Sequence, residues 1–554
     1  MTQKKYFSAP LGPNGTTGVQ TNLPKYWPWI GVAIIIFFVA AIRIRLLQIP
    51  LERDEGEFAY MGQLMLQGIP PYLLAYNMKL PGIYAAYALV MTIFGQTIAG
   101  IHLGLMIVNA IAIVLLFLLA RRLFDEIAGV VAAACYGLLS LSPSVLGTSA
   151  HATQFIVPLA LGGTLLLLKS LDSGKYSTLF LSGLLYGLAF IMKQHAVFFI
   201  VFAVLYFIWS MTRKQPPDLK RLVGGIGLLM FGSVIPLVVS CAALYTAGVF
   251  SKFWFWAFTY ASQYVSEIPL SQAIQNFMIY VPRAIDPWRL LWVIAGLGLT
   301  VIFWNKKARS NWFFLVGFAL FSFLTICPGF FFRSHYFVTM LPAVALLAGV
   351  ATSAIMQFLS DKKMPSLVQI LPVLVVAAAI IGPISTLSSF FFHATPAEAC
   401  RMMYGVNPFP ESIEIGKYIK DHSTENDKIA VLGSEPQLFF YANRKSATGY
   451  IYVYGLMEPQ EYASRMQRDM ILEIETVRPK YAAIIDVPTS WLRRPDSDGT
   501  IFKWAEVYFR TKYHIAGFVD ILPGGHSKAY WDDEARRNRP TSQFNVYVLE
   551  RKEE

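Results

Sequence analysis

The sequence predicts a polytopic α-helical membrane protein with about 11–13 transmembrane helices and a C-terminal extracytoplasmic α/β domain. The first observation is composition: 55% of the residues are hydrophobic and only 14% are charged, whereas soluble domains carry about 25% charged residues. The second is a series of apolar runs, most of them close to the ~20 residues that a spanning helix needs. The third is a change in composition after Phe392, beyond which no apolar run is long enough to span.

Twelve apolar segments follow one another along the chain: 28–47, 82–97, 99–120, 127–147, 151–170, 177–192, 195–211, 222–248, 288–304, 312–329, 335–358 and 367–392. The positive-inside rule predicts that the basic connections at 212–221, 306–309 and 360–363 are cytoplasmic. This arrangement places 249–287 and the C-terminal part outside. An N-terminus inside and a C-terminus outside require an odd number of crossings. Either 82–97 therefore turns back without crossing, or a further helix lies within 249–287.

The segments divide the chain into three parts. Residues 1–26 are polar and rich in Gly, Pro and Thr, which predicts a disordered cytoplasmic tail. Residues 27–392 form a transmembrane domain with external loops 48–81 and 249–287. The aromatic loop 249–287 is predicted to be either an interfacial helix on the outer leaflet or a lid over a lipid-sized cavity. Residues 393–554 alternate helices with short apolar strands, which predicts an α/β layer structure.

Several function classes are excluded by composition and motifs. The formal net charge of +12 does not indicate nucleic-acid binding, because Lys and Arg gather in the cytoplasmic loops of membrane proteins and at anionic headgroups. No basic run alternates with aromatic residues, as single-stranded nucleic acid would require. The four cysteines form no CxxC motif, so a redox or metal site built on them is not predicted. Neither GxGxxG nor a P-loop occurs, and nothing supports nucleotide binding.

The chemistry is predicted in the polar interval 51–82, which follows the first apolar run and opens with a cluster of charges. A carboxylate beside a bundle cavity can act as a general base, and carboxylate oxygens suit Mg²⁺ or Mn²⁺. Asp54 and Glu55 are therefore the candidate catalytic residues, and Asp54 is also a candidate metal ligand. Glu57 is interpreted as a solvated neighbour. His151 lies in a separate polar cluster before an apolar run, and it is predicted only to contact and position residues of the site.

A set of cationic residues interrupts apolar runs on the same predicted outer side: Lys79, Lys193, His195, Arg333 and His335. Charges beside a bilayer are costly and usually mark a function. Arg and Lys are the residues that hold phosphates, Arg in a bidentate manner and Lys as a point charge. Snorkelling to lipid headgroups is the alternative explanation for any one of them. Convergence of three loops favours a phosphate-binding site.

At these residues the chain resembles the GT-C superfamily of polytopic glycosyltransferases, and within it the aminoarabinose transferase and protein O-mannosyltransferase group. The acidic pair Asp54-Glu55 is similar to the acidic motif in the first external loop of that group. The segment Lys79-Leu80-Pro81-Gly82 is similar to its Lys-Pro motif, and 333–349 resembles a late helix that begins with His-Tyr and continues with Leu-Pro. The resemblance covers roughly residues 25–392.

The resemblance implies an enzyme that moves a sugar from a polyprenyl-phosphate carrier to an acceptor lipid, glycan or protein, on the outer face of a bacterial inner membrane. Asp54 would activate the acceptor or hold a divalent cation, and Lys79 would lie near the carrier phosphate. Gln154 and Phe155 stand where some relatives carry a further carboxylate, so metal dependence and acceptor class stay open. Two other classes also stay open: a flippase of lipid-linked sugars, which should show internal repeats, and a non-catalytic membrane assembly subunit.

Overall fold

A computed structural model describes residues 25–213, 216 and 218–553, and the predicted tail of residues 1–26 lies outside this part except for its last two residues. Six described helices are long and apolar enough to cross a membrane: Trp27–Arg45, Ile98–Leu123, Ala152–Ser173, Gln194–Thr212, Leu219–Thr246 and Leu341–Asp361. A seventh span is possible if the pair Leu270–Ile285 and Arg289–Trp304, bent by 107°, is one broken helix. Five further apolar helices are shorter: Gly82–Phe94, Glu126–Leu139, Tyr176–Met192, Trp312–Leu324 and Leu371–Thr386. The protein is a multi-pass membrane protein.

Each of the twelve predicted apolar segments coincides with one of these helices. The segment 82–97 is the short helix Gly82–Phe94, whose 13 residues rise about 20 Å, less than the ~30 Å of a bilayer core. The interval 249–287 contains the helix Leu270–Ile285. Both features that could account for an odd number of crossings are therefore present, and the number of crossings itself stays a prediction.

The C-terminal part is built around a six-stranded mixed sheet. Its strands are β1 (Lys428–Leu432), β2 (Lys445–Ser446), β3 (Tyr481–Asp486), β4 (Tyr513–Ile521), β5 (Ser527–Trp531) and β6 (Asn545–Arg551). They lie in the order β2-β1-β3-β6-β4-β5, with β1 parallel to β2 and β3 and the remaining pairs antiparallel. The predicted α/β architecture is confirmed.

Short helices fill the loops and cover the sheet: Arg53–Leu66, Phe250–Trp254, Ala261–Val265, Lys306–Ser310, Ser366–Gln369, Pro396–Tyr404, Phe409–Asp421, Gln437–Ala442, Ala463–Val477, Pro488–Trp491, Thr500–Lys512 and Asp532–Arg537. The apolar patterns predict β1, β3 and β6 and the helices that precede β1, β3 and β4. They do not predict β2, β4 or β5. Strand β4 begins directly after the helix Thr500–Lys512 with no breaking residue between them, and β5 is a partly exposed strand without an apolar face.

The buried apolar residues form two large clusters. One lies within the helix bundle, and the other joins the external acidic loop to the sheet. The second cluster contains Leu51, Phe58 and Tyr87 from the membrane domain together with Ile429 and Val546 from β1 and β6. The C-terminal domain therefore shares its hydrophobic core with the external acidic loop, at which the chemistry is predicted. The two pack directly against each other.

Candidate active site

The helix that carries the acidic residues, Arg53–Leu66, begins with a capping box. Glu52 accepts a hydrogen bond from the backbone N–H of Glu55 at 2.9 Å, and the Glu55 carboxylate accepts one from the backbone N–H of Glu52 at 3.3 Å. Such reciprocal bonds satisfy two of the donors that a helix start leaves without partners. The first helical turn, with Asp54 as its second residue, is thereby fixed at the edge of the bundle.

The same helix is held tightly against the C-terminal domain. Arg53 forms a buried ion pair with Glu435, with 2.6 Å between Nη2 and Oε1, and its Nε donates to the backbone oxygen of Ser434 at 2.5 Å. Gly56 allows the close approach, since a Cβ at this position would lie 2.5 Å from the backbone nitrogen of Gln437. The C-terminal domain thus holds the acidic helix in position.

A cavity of about 500 Å³ lies between the bundle, the aromatic loop and the C-terminal domain. Six of the seven predicted site residues line it: Asp54, Lys79, Lys193, His195, Arg333 and His335. The seventh, Glu55, does not line it. Its carboxylate is fully buried, accepts hydrogen bonds from His102 Nε2 at 3.0 Å and from the backbone N–H of Ala150 at 2.5 Å, and fastens the acidic helix to the bundle.

Lys79 is held between two carboxylates. Its Nζ donates to Asp54 Oδ1 at 2.8 Å and to Glu57 Oε2 at 2.6 Å. Glu57 also accepts hydrogen bonds from Asn77 at 2.7 Å and Tyr84 at 2.8 Å and is completely buried. The interpretation of Glu57 as a solvated neighbour is therefore wrong: the loop after the acidic helix folds back, covers this side chain and makes it the anchor of Lys79. Burial raises the pKa of Glu57 to about 6 although the Lys79 ammonium opposes the rise.

Two histidines face Asp54. His151 Nδ1 lies 3.8 Å and His335 Nε2 lies 3.9 Å from Asp54 Oδ2, and the two imidazole rings stack with their centroids 4.2 Å apart. Both ring nitrogens of His151 are buried and make no hydrogen bond. Burial alone would raise the pKa of Asp54, but the Lys79 ammonium and the neighbouring His151 hold it well below its usual range. Asp54 is therefore a stable carboxylate in this arrangement.

Lys193 and Arg333 are cations of a different kind, because among the described residues neither forms an ion pair with a carboxylate. Lys193 Nζ lies 3.9 Å from the ring centroid of Tyr336, and the Arg333 guanidinium lies 5.2 Å from that of Phe331. Burial lowers the pKa of Lys193 to about 7, with Lys79 and Arg333 adding to the effect and Asp54 opposing it. Cations held on aromatic faces and facing a cavity are poised to receive an anion.

The two remaining predicted residues are neutral neighbours of these cations. His195 donates from Nδ1 to the backbone oxygen of Thr325 at 2.8 Å and packs edge-on against Tyr336. Burial, together with His151 and Lys193, lowers the pKa of His335 well below its usual range. His335 can therefore offer a hydrogen bond to an anion but not a charge.

The C-terminal domain contributes a wall that the sequence analysis did not predict. Tyr452, Tyr454 and Glu458 line the cavity, and the Tyr452 hydroxyl lies 3.5 Å from Asp54 Oδ1. The signal for this wall is the alternation of tyrosines in YIYVYG, residues 450–455, which is an aromatic run inside an otherwise polar domain. That run is too short to span a membrane and too regular for a solvated loop.

The aromatic loop supplies a further part of the cavity wall and contacts the C-terminal domain there. Trp256, Tyr260 and Tyr264 line the cavity, so the first half of the loop covers it. The following helix, Leu270–Ile285, carries an exposed apolar face at Leu270, Ile274 and Met278, which are 70%, 66% and 68% exposed. That spacing of four residues is suited to a bilayer interface. The first half of the loop lies where the predicted lid would lie, and the interfacial position of the second half stays a prediction.

Comparison with known proteins finds one family model and several solved structures that are similar to this chain. Residues 79–239 match the model of the family described as dolichyl-phosphate-mannose-protein mannosyltransferase. No curated protein matches the chain by sequence. Among solved structures, the apo oligosaccharyltransferase of Archaeoglobus fulgidus is similar with a TM-score of 0.56 at 14% identity, over 93% of this chain and 75% of that one.

A second solved structure, ArnT of Cupriavidus metallidurans bound to undecaprenyl phosphate, matches with a TM-score of 0.52 at 14% identity. The match covers 95% of this chain and 98% of that one. The chain has the GT-C fold. The resemblance that the acidic, Lys-Pro and late-helix motifs indicate is thereby confirmed, and the GT-C fold extends over the C-terminal domain, well beyond the 25–392 that those motifs cover.

Proposed function

We propose that the protein is a membrane glycosyltransferase that moves a sugar from a polyprenyl-phosphate carrier to a lipid, glycan or protein acceptor on the outer side of the membrane. One observation carries the proposal: Lys193 and Arg333, which form no ion pair within the part of the chain that the structure describes, line the same cavity as Asp54 and Lys79. The anion assigned to them is a polyprenyl phosphate, since the matching family is named for dolichyl-phosphate-mannose and the similar ArnT binds undecaprenyl phosphate.

The reaction breaks the bond between the anomeric carbon of the sugar and an oxygen of the carrier phosphate. A new bond joins that carbon to the acceptor, which loses a proton. Lys193 and Arg333 would stabilise the negative charge that grows on the leaving phosphate, and His335 would donate a hydrogen bond to it. Cations fixed in advance in a cavity shielded from water are effective at this task, because they need no reorganisation during the reaction.

Asp54 is the proposed general base. A base works best when its pKa lies near the working pH, and in this arrangement Lys79 holds the pKa of Asp54 far too low. A carrier phosphate would compete for Lys79 and bring a negative charge close to Asp54, and both changes raise the pKa of Asp54. Donor binding would thus activate the base, while Glu57 keeps Lys79 in place.

A divalent cation could also occupy this site. Ligand atoms of Asp54, His151 and His335 lie within 4.8 Å of one another, and neither His151 nitrogen makes a hydrogen bond, although Nδ1 lies 3.5 Å from Glu52 Oε1. Two imidazoles and one carboxylate suit Mn²⁺ or Zn²⁺ better than Mg²⁺, and such an ion would polarise an acceptor oxygen. We expect EDTA treatment to lower the transfer rate at least tenfold and added Mn²⁺ to restore it. A rate unchanged by EDTA would rule out this role for a metal.

The experiment that tests the function uses the purified protein in liposomes that contain undecaprenyl-phosphate-linked sugars. A transferase releases undecaprenyl phosphate in proportion to the sugar moved to acceptor, and this is the result we expect. Movement of intact lipid-linked sugar between leaflets without release of undecaprenyl phosphate would contradict the proposal and support a flippase. Absence of both activities over a panel of sugars and acceptors would leave the non-catalytic subunit as the better account.

A further inference from the structure

The cavity contains a second carboxylate that the reaction described above does not use. Glu458, from the C-terminal domain, lines the cavity together with Asp54. Its Oε2 accepts a hydrogen bond from the Tyr260 hydroxyl at 2.7 Å, and Tyr260 belongs to the aromatic loop. Within residues 25–213, 216 and 218–553, no Lys, Arg or His forms an ion pair with Glu458. A carboxylate that faces a cavity without an ion-pair partner has capacity to accept hydrogen bonds from a ligand.

The surroundings of Glu458 are aromatic. Trp256, Tyr264, Tyr452 and Tyr454 line the same cavity, and the rings of Tyr452 and Tyr454 meet edge-on with centroids 4.8 Å apart. Burial raises the pKa of Glu458 although Tyr260 and the Arg333 charge oppose the rise. Ligand pockets of this composition, apolar walls with a few well-placed polar groups, use those polar groups to fix orientation and specificity.

We propose that Glu458 and Tyr260 form the subsite that recognises hydroxyl groups of the sugar carried by the donor. The inference rests on the proposed function, because it takes Arg333 as a ligand of the carrier phosphate. Arg333 and Glu458 line the same cavity, and the sugar is bonded directly to the phosphate. A sugar whose phosphate lies at Arg333 therefore occupies the cavity that Glu458 lines, where the carboxylate accepts hydrogen bonds from its hydroxyls between the aromatic walls.

The subsite makes the C-terminal domain a determinant of donor specificity. A site built to hydrogen-bond a hydroxyl discriminates strongly against an analogue that lacks it, because the buried polar group is then left without a partner. Glu458 also joins the two walls of the cavity, since its partner Tyr260 comes from the aromatic loop. An experiment on Glu458 must therefore distinguish the effect of losing the carboxylate from the effect of loosening the aromatic loop.

A matched control for loosening is available. Arg494 of the C-terminal domain forms an ion pair with Glu267 of the aromatic loop, and Glu267 does not line the cavity. Glu267→Gln removes a connection between the same two elements without changing the cavity. If Glu458 serves only to tie the loop to the domain, Glu458→Gln and Glu267→Gln will have the same effect.

The experiment measures affinity of the full-length protein in detergent for undecaprenyl phosphate and for undecaprenyl phosphate carrying mannose, glucose or 4-amino-4-deoxyarabinose. We expect the wild type to bind at least one glycosylated lipid more tightly than the bare lipid. Glu458→Gln should lower affinity for that lipid about 10- to 100-fold and leave affinity for the bare lipid within about twofold of the wild type. Glu267→Gln should change neither affinity.

Four results would overturn the proposal. The first is a wild type that gains no affinity from any of these sugars, and the second is Glu458→Gln with the full gain retained. The third is equal weakening of bare and glycosylated lipid by Glu458→Gln, and the fourth is an equal effect of Glu267→Gln. The last two results would indicate a structural role for Glu458. If the wild type does not bind undecaprenyl phosphate at all, the proposed function fails and this inference fails with it. If the wild type binds undecaprenyl phosphate but gives one of the results above, only this inference fails.

Discussion

At the scale of single residues, the site depends on how charges are paired. Lys79 is neutralised by Asp54 and Glu57, whereas Lys193 and Arg333 contact aromatic rings. Loss of charge from either unpaired cation should therefore weaken phosphate binding directly, without freeing a buried carboxylate. This distinction could not be predicted from the sequence, which presents all three cations as polar residues between apolar runs.

Lys193 should make phosphate binding depend on pH. Burial lowers its pKa to about 7, so it is charged below that pH and neutral above it. We expect the affinity of the wild type for undecaprenyl phosphate to fall about tenfold between pH 6 and pH 9, relative to Lys193→Arg, which stays charged throughout. The ionisation of the lipid phosphate and of Glu57 also changes with pH, but it changes in the wild type and in Lys193→Arg alike and therefore cancels in the comparison. If affinity depends on pH in the same way in both proteins, the charge on Lys193 does not control phosphate binding.

At the scale of elements, the acidic helix is the joint between bundle and C-terminal domain. Arg53→Met would leave Glu435 buried without its partner, and breaking a buried pair in this way costs about 3–5 kcal/mol. The expected result is a clearly lower midpoint of thermal unfolding in detergent. The matched control is Arg289→Met, since the Arg289–Asp286 pair is exposed and such pairs contribute about 0–1 kcal/mol. Equal stability of both variants would mean that the joint does not depend on Arg53.

The helices themselves follow from the sequence, but their partners do not. Hydrophobic periodicity predicts the twelve apolar segments and the strands β1, β3 and β6, because burial of apolar side chains determines both. It gives no information on contacts between residues far apart in the chain, such as Tyr452 and Asp54, which are 398 positions apart and close the site. The sequence does not show the burial of Glu57, because that burial depends on Asn77 and Tyr84, which reach it only after the loop folds back. Nor does it show that Tyr452 and Glu458 line the cavity, because only the folded chain brings the C-terminal domain to the acidic loop.

At the scale of the whole molecule, the acidic loop and the C-terminal domain must lie on the same side of the membrane, because they share one core. The distribution of basic loops predicts that this side is outside. Single cysteines at the exposed positions Gln67 and Glu461, in a background without the four natural cysteines, should both react with a membrane-impermeant maleimide added to intact cells. Reaction of only one position, or of neither until the cells are opened, would contradict the predicted orientation.

The central claim is that Asp54 performs chemistry at a site for lipid-linked sugar, and the most direct measurement is the transfer rate of Asp54→Asn from an undecaprenyl-phosphate-linked donor. Asn keeps the size of the side chain but cannot accept the proton. The account predicts that kcat falls about 10²–10⁴-fold, with affinity for undecaprenyl phosphate retained. Asp286→Asn, which changes an exposed carboxylate, should transfer at the wild-type rate. Transfer by Asp54→Asn at the wild-type rate would contradict the account.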